Sequence, residues 1–336
     1  MIKSLGSSTI QFIDMPKIIG FSSVAGKKEA QGPLKDDFDK IFYDMHAGQQ
    51  TWEKAESTLQ KEALSIALQK AQYSAEDISF LFAGDLLNQC ISSSYGLKDF
   101  HIPYLGQYGA CSTMVQGLIM ASVMVESKAC FASACVTSSH FCSAERQYRF
   151  PLDYGGQRPQ SAQWTVTGAG SCILTSENTK QKPSVKYATV GKIVDLGVKD
   201  QNNMGAAMAP AAADTLVRFF KDTSSNADDY DMIYTGDLGK IGSKLLYELM
   251  KKEGYDISCK HKDCGVMIYK DDLDVHAGGS GCGCCASVLG GHILKKISNR
   301  EMNNVLVMAT GALLSLTSVS QSESIPSIAH LVNIVM

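Results

Sequence analysis

The sequence has little charge, no basic excess and no long apolar run. Charged residues make up 19% of its 336 residues, below the roughly 25% usual for soluble domains. Lys and Arg number 31 against 34 for Asp and Glu, so nucleic acid, which needs a basic surface, is not expected as a partner. The most apolar segment, residues 305–319, is interrupted by hydroxyl residues and is shorter than the roughly 20 residues that cross a bilayer. We expect a soluble chain without a transmembrane segment.

Cysteine is plentiful but odd in number, and the first residues contain no apolar stretch of signal-peptide length. Eleven cysteines without such a stretch indicate a reducing, cytoplasmic compartment. The apolar share of 45% indicates a well-buried globule. The length predicts about two domains.

Apolar periodicity predicts alternating helices and strands in the first half. Residues 51–71 carry apolar side chains at three- and four-residue steps, which predicts a helix lying on a sheet. Residues 78–83 and 129–136 are short apolar runs typical of buried strands. Residues 111–125 predict an apolar helix that follows a glycine-bearing loop.

The second half repeats this order at a constant offset, which indicates duplication. Four pairs are each 174 positions apart: Gly109 and Gly283, Cys111 and Cys285, Gly117 and Gly291, and Phe131 and Val305. The second half also carries about twenty extra residues, placed around 254–276. We therefore predict two similar halves, residues 1–180 and 181–336, each an α/β unit with a mainly parallel sheet.

Cys111 is the candidate nucleophile. It lies where a glycine-bearing loop meets the start of a predicted helix, so its sulfur would face unpaired backbone N–H groups and the positive end of the helix dipole. This position predicts a lowered thiol pKa and a reactive thiolate. The alternative is a buried, inert cysteine that acts as a small apolar residue.

Arginine is scarce, and three of the five, Arg146, Arg149 and Arg158, fall within thirteen positions. The planar guanidinium grips a carboxylate with two parallel hydrogen bonds, so Arg146 and Arg149 are candidate ligand-binding residues for a flat anion. Nearby aromatic residues suit stacking on a heteroaromatic ring. The alternative is a surface loop whose arginines pair with Glu145 and Asp153.

His140 is the candidate binding histidine. It immediately follows a predicted buried strand, and the carboxyl edge of a parallel sheet is where such folds place ligand pockets. The alternative is a hydrogen-bonded structural histidine.

The cysteines near residue 283 do not predict a metal or nucleotide site. Cys282, Cys284 and Cys285 lack the two- to four-residue spacing of paired zinc ligands, and small residues there suit a tight glycine turn into a helix. The glycines between 278 and 283 lack the third glycine of a dinucleotide fingerprint. We expect no metal and no cofactor.

Four stretches together resemble the thiolase and ketoacyl synthase superfamily over nearly the whole chain. They are G-A-C-S-T at 109–113, V-T-G-A-G-S at 166–171, G-G-S-G-C-G at 278–283 and A-T-G-A-L-L-S at 309–315. The resemblance implies a five-layered αβαβα fold built from two similar halves, and a homodimer formed through the central sheets. It also implies that a histidine from the second half should assist Cys111. This sequence instead has T-G-D-L-G at 235–239, and His276 only approximates the other basic position.

Three further stretches, at 27–34, 138–151 and 323–330, resemble a sporulation family within that superfamily. The resemblance implies a protein that binds dipicolinic acid (pyridine-2,6-dicarboxylate) in a thiolase-type pocket and assists its uptake into the developing spore. It implies a place beside the spore inner membrane, through other subunits of an uptake complex. Two alternatives stay open: an acyl-transferring condensing enzyme with Cys111 as nucleophile, and an architectural subunit with a vestigial pocket.

Overall fold

The computed structural model describes residues 1–149, 158–177, 179 and 181–336, with only the backbone of Arg149. In the first half the strands and helices are β1 (Ile2–Leu5), β2 (Thr9–Phe12), β3 (Lys17–Gly26), β4 (Lys40–Phe42), α1 (Trp52–Ala71), β5 (Phe80–Gly84), α2 (Ile91–Leu97), β6 (Tyr104–Gly106), α3 (Thr113–Glu126), β7 (Ala132–Ser139), α4 (Phe141–Arg149), β8 (Trp164–Thr165) and β9 (Gly168–Thr175).

The second half contains β10 (Ser184–Thr189), α5 (Met204–Thr223), β11 (Met232–Thr235), α6 (Gly239–Lys252), β12 (His261–Asp263), α7 (Cys264–Met267), β13 (Gly279–Ser280), α8 (Cys282–Val288), α9 (Leu294–Ser298), β14 (Asn304–Ala312), α10 (Leu316–Ser320) and β15 (Ser327–Val335). A π-helical segment, Leu289–Ile293, joins α8 to α9.

Strand order is the same in the two halves. The strands run β6-β5-β7-β9-β3 in the first half and β12-β11-β14-β15-β10 in the second. In each half the order is therefore third, second, fourth, fifth and first, and the fifth strand is antiparallel to the fourth. This repetition agrees with the constant offset in the sequence, while the boundary between the halves stays a prediction.

The half-sheets meet at one residue pair. Lys17 of β3 pairs with Ser184 of β10, and the Lys17 Nζ donates to the Ser184 Oγ at 3.0 Å. The far end of β10 is covered by β2 instead. Within the sheet, β10 therefore pairs with two strands of the first half, β3 and β2.

Helices cover both faces of each half-sheet. Helix α1 packs on β3, β7 and β9, and α5 packs on β14 and β15. Helices α3 and α8 contact each other, and α3 touches strands of both halves. The core cluster accordingly combines Met114, Val115 and Leu118 with Val288 and Leu289. The layers run helix, sheet, helix, sheet, helix.

The predicted elements of the first half are confirmed with shifts of a few residues. Helix α1 starts one residue late because Thr51 is its N-cap, whose side chain accepts a hydrogen bond from the Lys54 N–H. Such a cap satisfies an otherwise unpaired donor of the first turn. The helix predicted from residue 111 begins with a 3₁₀ turn, Ala110–Ser112, and continues as α3.

The glycine turn predicted ahead of the second-half helix is also confirmed. Gly281 has φ of +104° and precedes α8, in the left-handed region that favours glycine. In the π-helical segment Gly290 lies against β3, where an added Cβ would come within 1.9 Å of the Ser22 carbonyl oxygen. Among the described residues, none of the helices has the length and hydropathy needed to span a bilayer.

Candidate functional site

Cys111 lies at the boundary between the halves, in the 3₁₀ turn before α3. Its side chain is 7% exposed and borders a cavity of ≈ 60 Å³, enough for about four to six waters. The walls come from both halves, with Leu86, Ala110, Ala144, Glu145, Tyr148 and Thr165 from the first and Gln201, Met204, Ser280, Gly281, Ala312 and Leu314 from the second.

Two polar residues of the second half face the Cys111 thiol. The Ser280 Oγ lies 3.8 Å from the Cys111 Sγ, and the Asp237 carboxylate, which shares Ser280 as a neighbour, is near enough to raise the pKa of the thiol. Ser280 donates to the Asp237 Oδ2 at 2.9 Å, and Thr310 of β14 donates to Oδ1 at 2.8 Å. The Gly281 N–H is a third donor, to Oδ2 at 3.1 Å. A fully buried carboxylate thus stands where the superfamily resemblance implies a histidine.

This environment keeps the Cys111 thiol protonated. Burial and then the negative charge of Asp237 raise the pKa of the Cys111 thiol well above its usual value. Burial also raises the pKa of the Asp237 carboxyl. The predicted lowering of the thiol pKa is therefore wrong. Cys111 does lie at a helix start, but desolvation and an adjacent carboxylate outweigh the helix dipole, which is a weaker and more screened influence.

His140 does not reach the cavity. Its Nδ1 accepts a hydrogen bond from the Cys142 N–H at 3.1 Å, so Nε2 carries the proton and donates to the Met45 carbonyl oxygen at 2.9 Å. Burial lowers the pKa of His140, and its ring lies 5.5 Å from that of Trp52. Both ring nitrogens bond to backbone, so the structural alternative describes His140 better than a ligand contact.

The arginines of the 146–158 stretch take separate positions. Arg146 is half-exposed and forms an ion pair with Glu53 of α1, so it is turned away from the cavity. Arg149 follows Tyr148, whose ring borders the cavity, but its side chain lies outside what the structure describes. Arg158 lies 5.1 Å from the Trp164 ring centroid. The structure does not bring His140 or Arg146 together with Cys111.

A pair of buried carboxylates, Glu56 and Asp85, lies behind the cavity wall. Glu56 of α1 accepts from the Ser143 Oγ at 2.6 Å and from the Ser138 Oγ at 3.1 Å. Burial and then the charge of Asp85 raise the pKa of Glu56 to about 8. Asp85 is held by the Ser93 hydroxyl and N–H. Asp85 directly precedes Leu86, and Ser143, which donates to Glu56, directly precedes Ala144. Leu86 and Ala144 both belong to the cavity wall.

The sequence analysis missed Asp237 and Ser280 as partners of Cys111. The signal was present in both cases, because T-G-D-L-G at 235–239 contains the aspartate and G-G-S-G-C-G at 278–283 contains the serine. The first motif lacks the histidine that the resemblance implies, and its aspartate takes the place beside the thiol. His276, the basic residue nearest the second motif, pairs with Asp274 at 3.0 Å instead.

Comparisons with known proteins agree with this architecture. The family model for stage V sporulation protein AD matches residues 6–335. Stage V sporulation protein AD of Bacillus subtilis strain 168 is 45% identical over 329 residues, which cover 98% of this chain and 97% of that protein. Crystal structures of OleA from Xanthomonas campestris are similar in fold. The cerulenin-bound form has a TM-score of 0.60 at 14% identity, covering 96% of this chain and 97% of OleA. The acetamide-bound form has 0.61 at 13% identity, covering 99% and 100%. The expected thiolase-like fold is confirmed.

Proposed function

This chain belongs to the stage V sporulation protein AD family, and from that membership we propose that it binds dipicolinic acid in the Cys111 cavity and assists its uptake into the developing spore. Its role in sporulation follows from homology. The ligand and the uptake step are the proposal, and they rest on the family resemblance together with the chemistry of the cavity.

One observation carries the choice of binding over catalysis: the residue that faces Cys111 is Asp237 and not a histidine. A condensing enzyme must generate a thiolate before it can attack a thioester. Here burial and the Asp237 carboxylate raise the pKa of the thiol, so Cys111 is a neutral hydrogen-bond donor at the cavity floor. A cavity that keeps its shape but holds its thiol protonated suits a ligand that enters and leaves unchanged.

The cavity walls suit a small planar ligand. The Tyr148 ring offers an aromatic face for a pyridine ring, and Thr165, Gln201 and Ser280 supply polar atoms around it. Arg149, the residue after Tyr148 on α4, is the proposed carboxylate partner, since a guanidinium matches the fork of a carboxylate. Arg146 is not proposed for this role because it pairs with Glu53.

Isothermal titration with dipicolinate tests the proposal, and helix α4 provides a matched pair of variants. We expect saturable binding by the intact protein and a loss of affinity of roughly tenfold or more in Arg149→Gln, as for a charge-assisted hydrogen bond worth about 1.5–3 kcal/mol. Arg146→Gln removes the same charge three residues earlier and should bind like the wild type. Benzene-1,3-dicarboxylate, which lacks the ring nitrogen, is the control ligand.

Absence of heat and of saturation up to millimolar dipicolinate would contradict the proposal and favour the architectural subunit. Equal loss of affinity in both arginine variants would place the ligand away from the cavity. Wild-type affinity in Arg149→Gln would remove that residue from the contact while leaving binding itself in place.

The second candidate is an acyl-transferring condensing enzyme, favoured by the apolar lining formed by Leu86, Met204 and Leu314. Its test is mass spectrometry after incubation with acyl-coenzyme A. An acyl adduct on Cys111 that disappears in Cys111→Ser would establish this activity. We expect no adduct at neutral pH, because the thiol is protonated.

Two kinds of partner are proposed. We infer that the protein contacts other subunits of a spore membrane uptake complex, which would hold it beside the inner membrane. We also infer a homodimer through β6, an edge strand whose residues Tyr104 and Leu105 are exposed. An exposed edge strand presents unpaired backbone groups to a second copy. Sedimentation of Leu105→Lys against the wild type tests this, since a charge on the edge should shift the protein to monomer.

A further inference from the structure

A fourth buried carboxylate, Asp263, contacts the turn that carries Asp237. Asp263 ends β12, which is paired in parallel with β11, and the turn follows β11. Burial raises the pKa of Asp263 to about 6, so the group is ionised at pH 8. Neither the motifs nor the cavity lining identifies this residue.

Four hydrogen bonds tie Asp263 to its surroundings, and three of them come from β11 and its turn. Oδ2 accepts from the Thr235 Oγ1 at 2.6 Å and from the Leu238 N–H at 2.8 Å. Oδ1 accepts from the Gly239 N–H at 3.0 Å and from the Val266 N–H at 3.1 Å. Asp237 therefore lies between two residues, 235 and 238, that the same carboxylate holds.

A directed chain of hydrogen bonds keeps Thr235 donating to Asp263. The Thr235 hydroxyl gives its only proton to Asp263, so it accepts from the His261 Nε2–H at 2.8 Å. His261 Nδ1 is then an acceptor for the Tyr247 hydroxyl at 2.9 Å. Burial lowers the pKa of His261 to about 4, which keeps the ring neutral and the direction fixed.

The turn fixes where the Asp237 side chain points. Gly239 has φ of +65°, a left-handed conformation that its bond to Asp263 helps to hold. The Asp237 carbonyl oxygen accepts from Gln163 Nε2 at 2.6 Å. With its backbone held from both sides, Asp237 directs its carboxylate at Ser280 and Cys111.

We propose that Asp263 is the positioning residue of the Cys111 cavity, holding the turn after β11 so that the Asp237 carboxylate meets the Cys111 thiol. The inference deepens the proposed function, since it concerns the same cavity, but its test needs no ligand. A failure of dipicolinate binding would therefore leave its outcome unchanged.

The experiment follows alkylation of Cys111 by iodoacetamide from pH 7 to 10, with peptide mass spectrometry to resolve Cys111 from the other cysteines. Asp237→Asn sets the full effect of removing the neighbouring charge. In Asp263→Asn the released turn should carry Asp237 away from the thiol, and alkylation at pH 8 should be at least about threefold faster, since each pKa unit changes the thiolate fraction about tenfold. Asp231→Asn, which removes the charge of a carboxylate that accepts from the Asn303 and Asn304 N–H groups at the other end of β11, should react like the wild type.

Thr235→Val keeps the Asp263 charge and removes only the hydroxyl that donates to it, so it separates positioning from a direct charge effect. The same variant tests the proposal if Asp263→Asn does not fold. It should also accelerate alkylation, whereas Thr235→Ser should restore the wild-type profile. If Asp263→Asn folds, wild-type alkylation profiles in both Asp263→Asn and Thr235→Val would overturn the proposal. If Asp263→Asn does not fold, a wild-type profile in Thr235→Val alone would overturn it. A lowered melting temperature without a change in the profile counts against it as well, since that is what a purely structural residue would show.

Discussion

The Cys111 Sγ lies 3.8 Å from the Ser280 Oγ, although 169 positions separate the two residues. One comes from the start of a central helix in the first half and the other from a short strand of the second. Their contact places the candidate site on the boundary between the halves. Any change that alters this boundary alters the site.

Ser280 and Asp237 should move the reactivity of Cys111 in opposite directions. The Ser280 hydroxyl lowers the pKa of the thiol, whereas the Asp237 charge raises it. Ser280→Ala should therefore slow alkylation of Cys111 at pH 9, and Asp237→Asn should speed it. Stopped-flow or mass-resolved alkylation measures both rates, and a shift of the same sign in the two variants would contradict the geometry described above.

Filling the cavity should abolish ligand binding without unfolding the protein. Ala144 is 3% exposed and lines the cavity, so Ala144→Leu places three additional carbons in the space that a ligand would occupy. Overpacking of this kind costs about 1–3 kcal/mol, which calorimetric melting detects. Titration should show no dipicolinate binding, and unchanged affinity would place the ligand elsewhere.

Stability should fall as the pH rises from 6.5 to 8. The raised pKa of Glu56, about 8, means that the folded state holds a proton there that the unfolded state has lost, so stability declines with pH until the folded carboxyl titrates. The lowered pKa values of His261 and His330, about 4, act in the opposite direction but only below about 6.5, the value of an unperturbed histidine.

Between pH 6.5 and 8, the free energy of unfolding measured in urea should fall by on the order of 2 kcal/mol, since each pH unit over which one proton is linked to folding changes that free energy by about 1.4 kcal/mol. Glu56→Gln should flatten the decline. Glu53→Gln, which lies on the same helix but pairs with Arg146 at the surface, should keep the wild-type slope. An unchanged slope in Glu56→Gln would show that the carboxyl is not the titrating group.

Gly290→Ala should destabilise the protein strongly. The added Cβ would come within 1.9 Å of the Ser22 carbonyl oxygen, and backbone cannot yield as a flexible side chain would. We expect the free energy of unfolding measured in urea to fall by about 3 kcal/mol or more, which is at or above the usual cost of overpacking. Gly254→Asn is the control, because nothing lies within 4 Å of that position and asparagine tolerates left-handed backbone.

Much of the fold could be predicted from local patterns. Helix α1 has apolar residues at helical spacing and a threonine cap, and the 174-residue offset reflects a real repetition of strand order. Cys111 also lies where its loop and helix predicted. These features depend on neighbours along the chain, which a single sequence displays.

The contacts within the candidate site could not be predicted, because they join residues that are far apart in the sequence. The thiol pKa was predicted with the wrong sign because burial and a carboxylate from the other half decide it. Arg146 lies in α4, a helix that the sequence did not predict, and its partner is Glu53, 93 positions away. His140 does follow β7, yet the side chain turns toward Met45 rather than the cavity.

The pairing of β8 with β13 has a mechanical consequence. Among the described residues it is one of three strand pairings between the halves, beside those of β10 with β3 and with β2, and Thr165 and Ser280 of the cavity wall form one of its residue pairs. A molecule that touches Cys111 and Ser280 at once would add a contact between the halves at this place. Occupancy of the cavity should therefore slow backbone hydrogen exchange in β8 and β13.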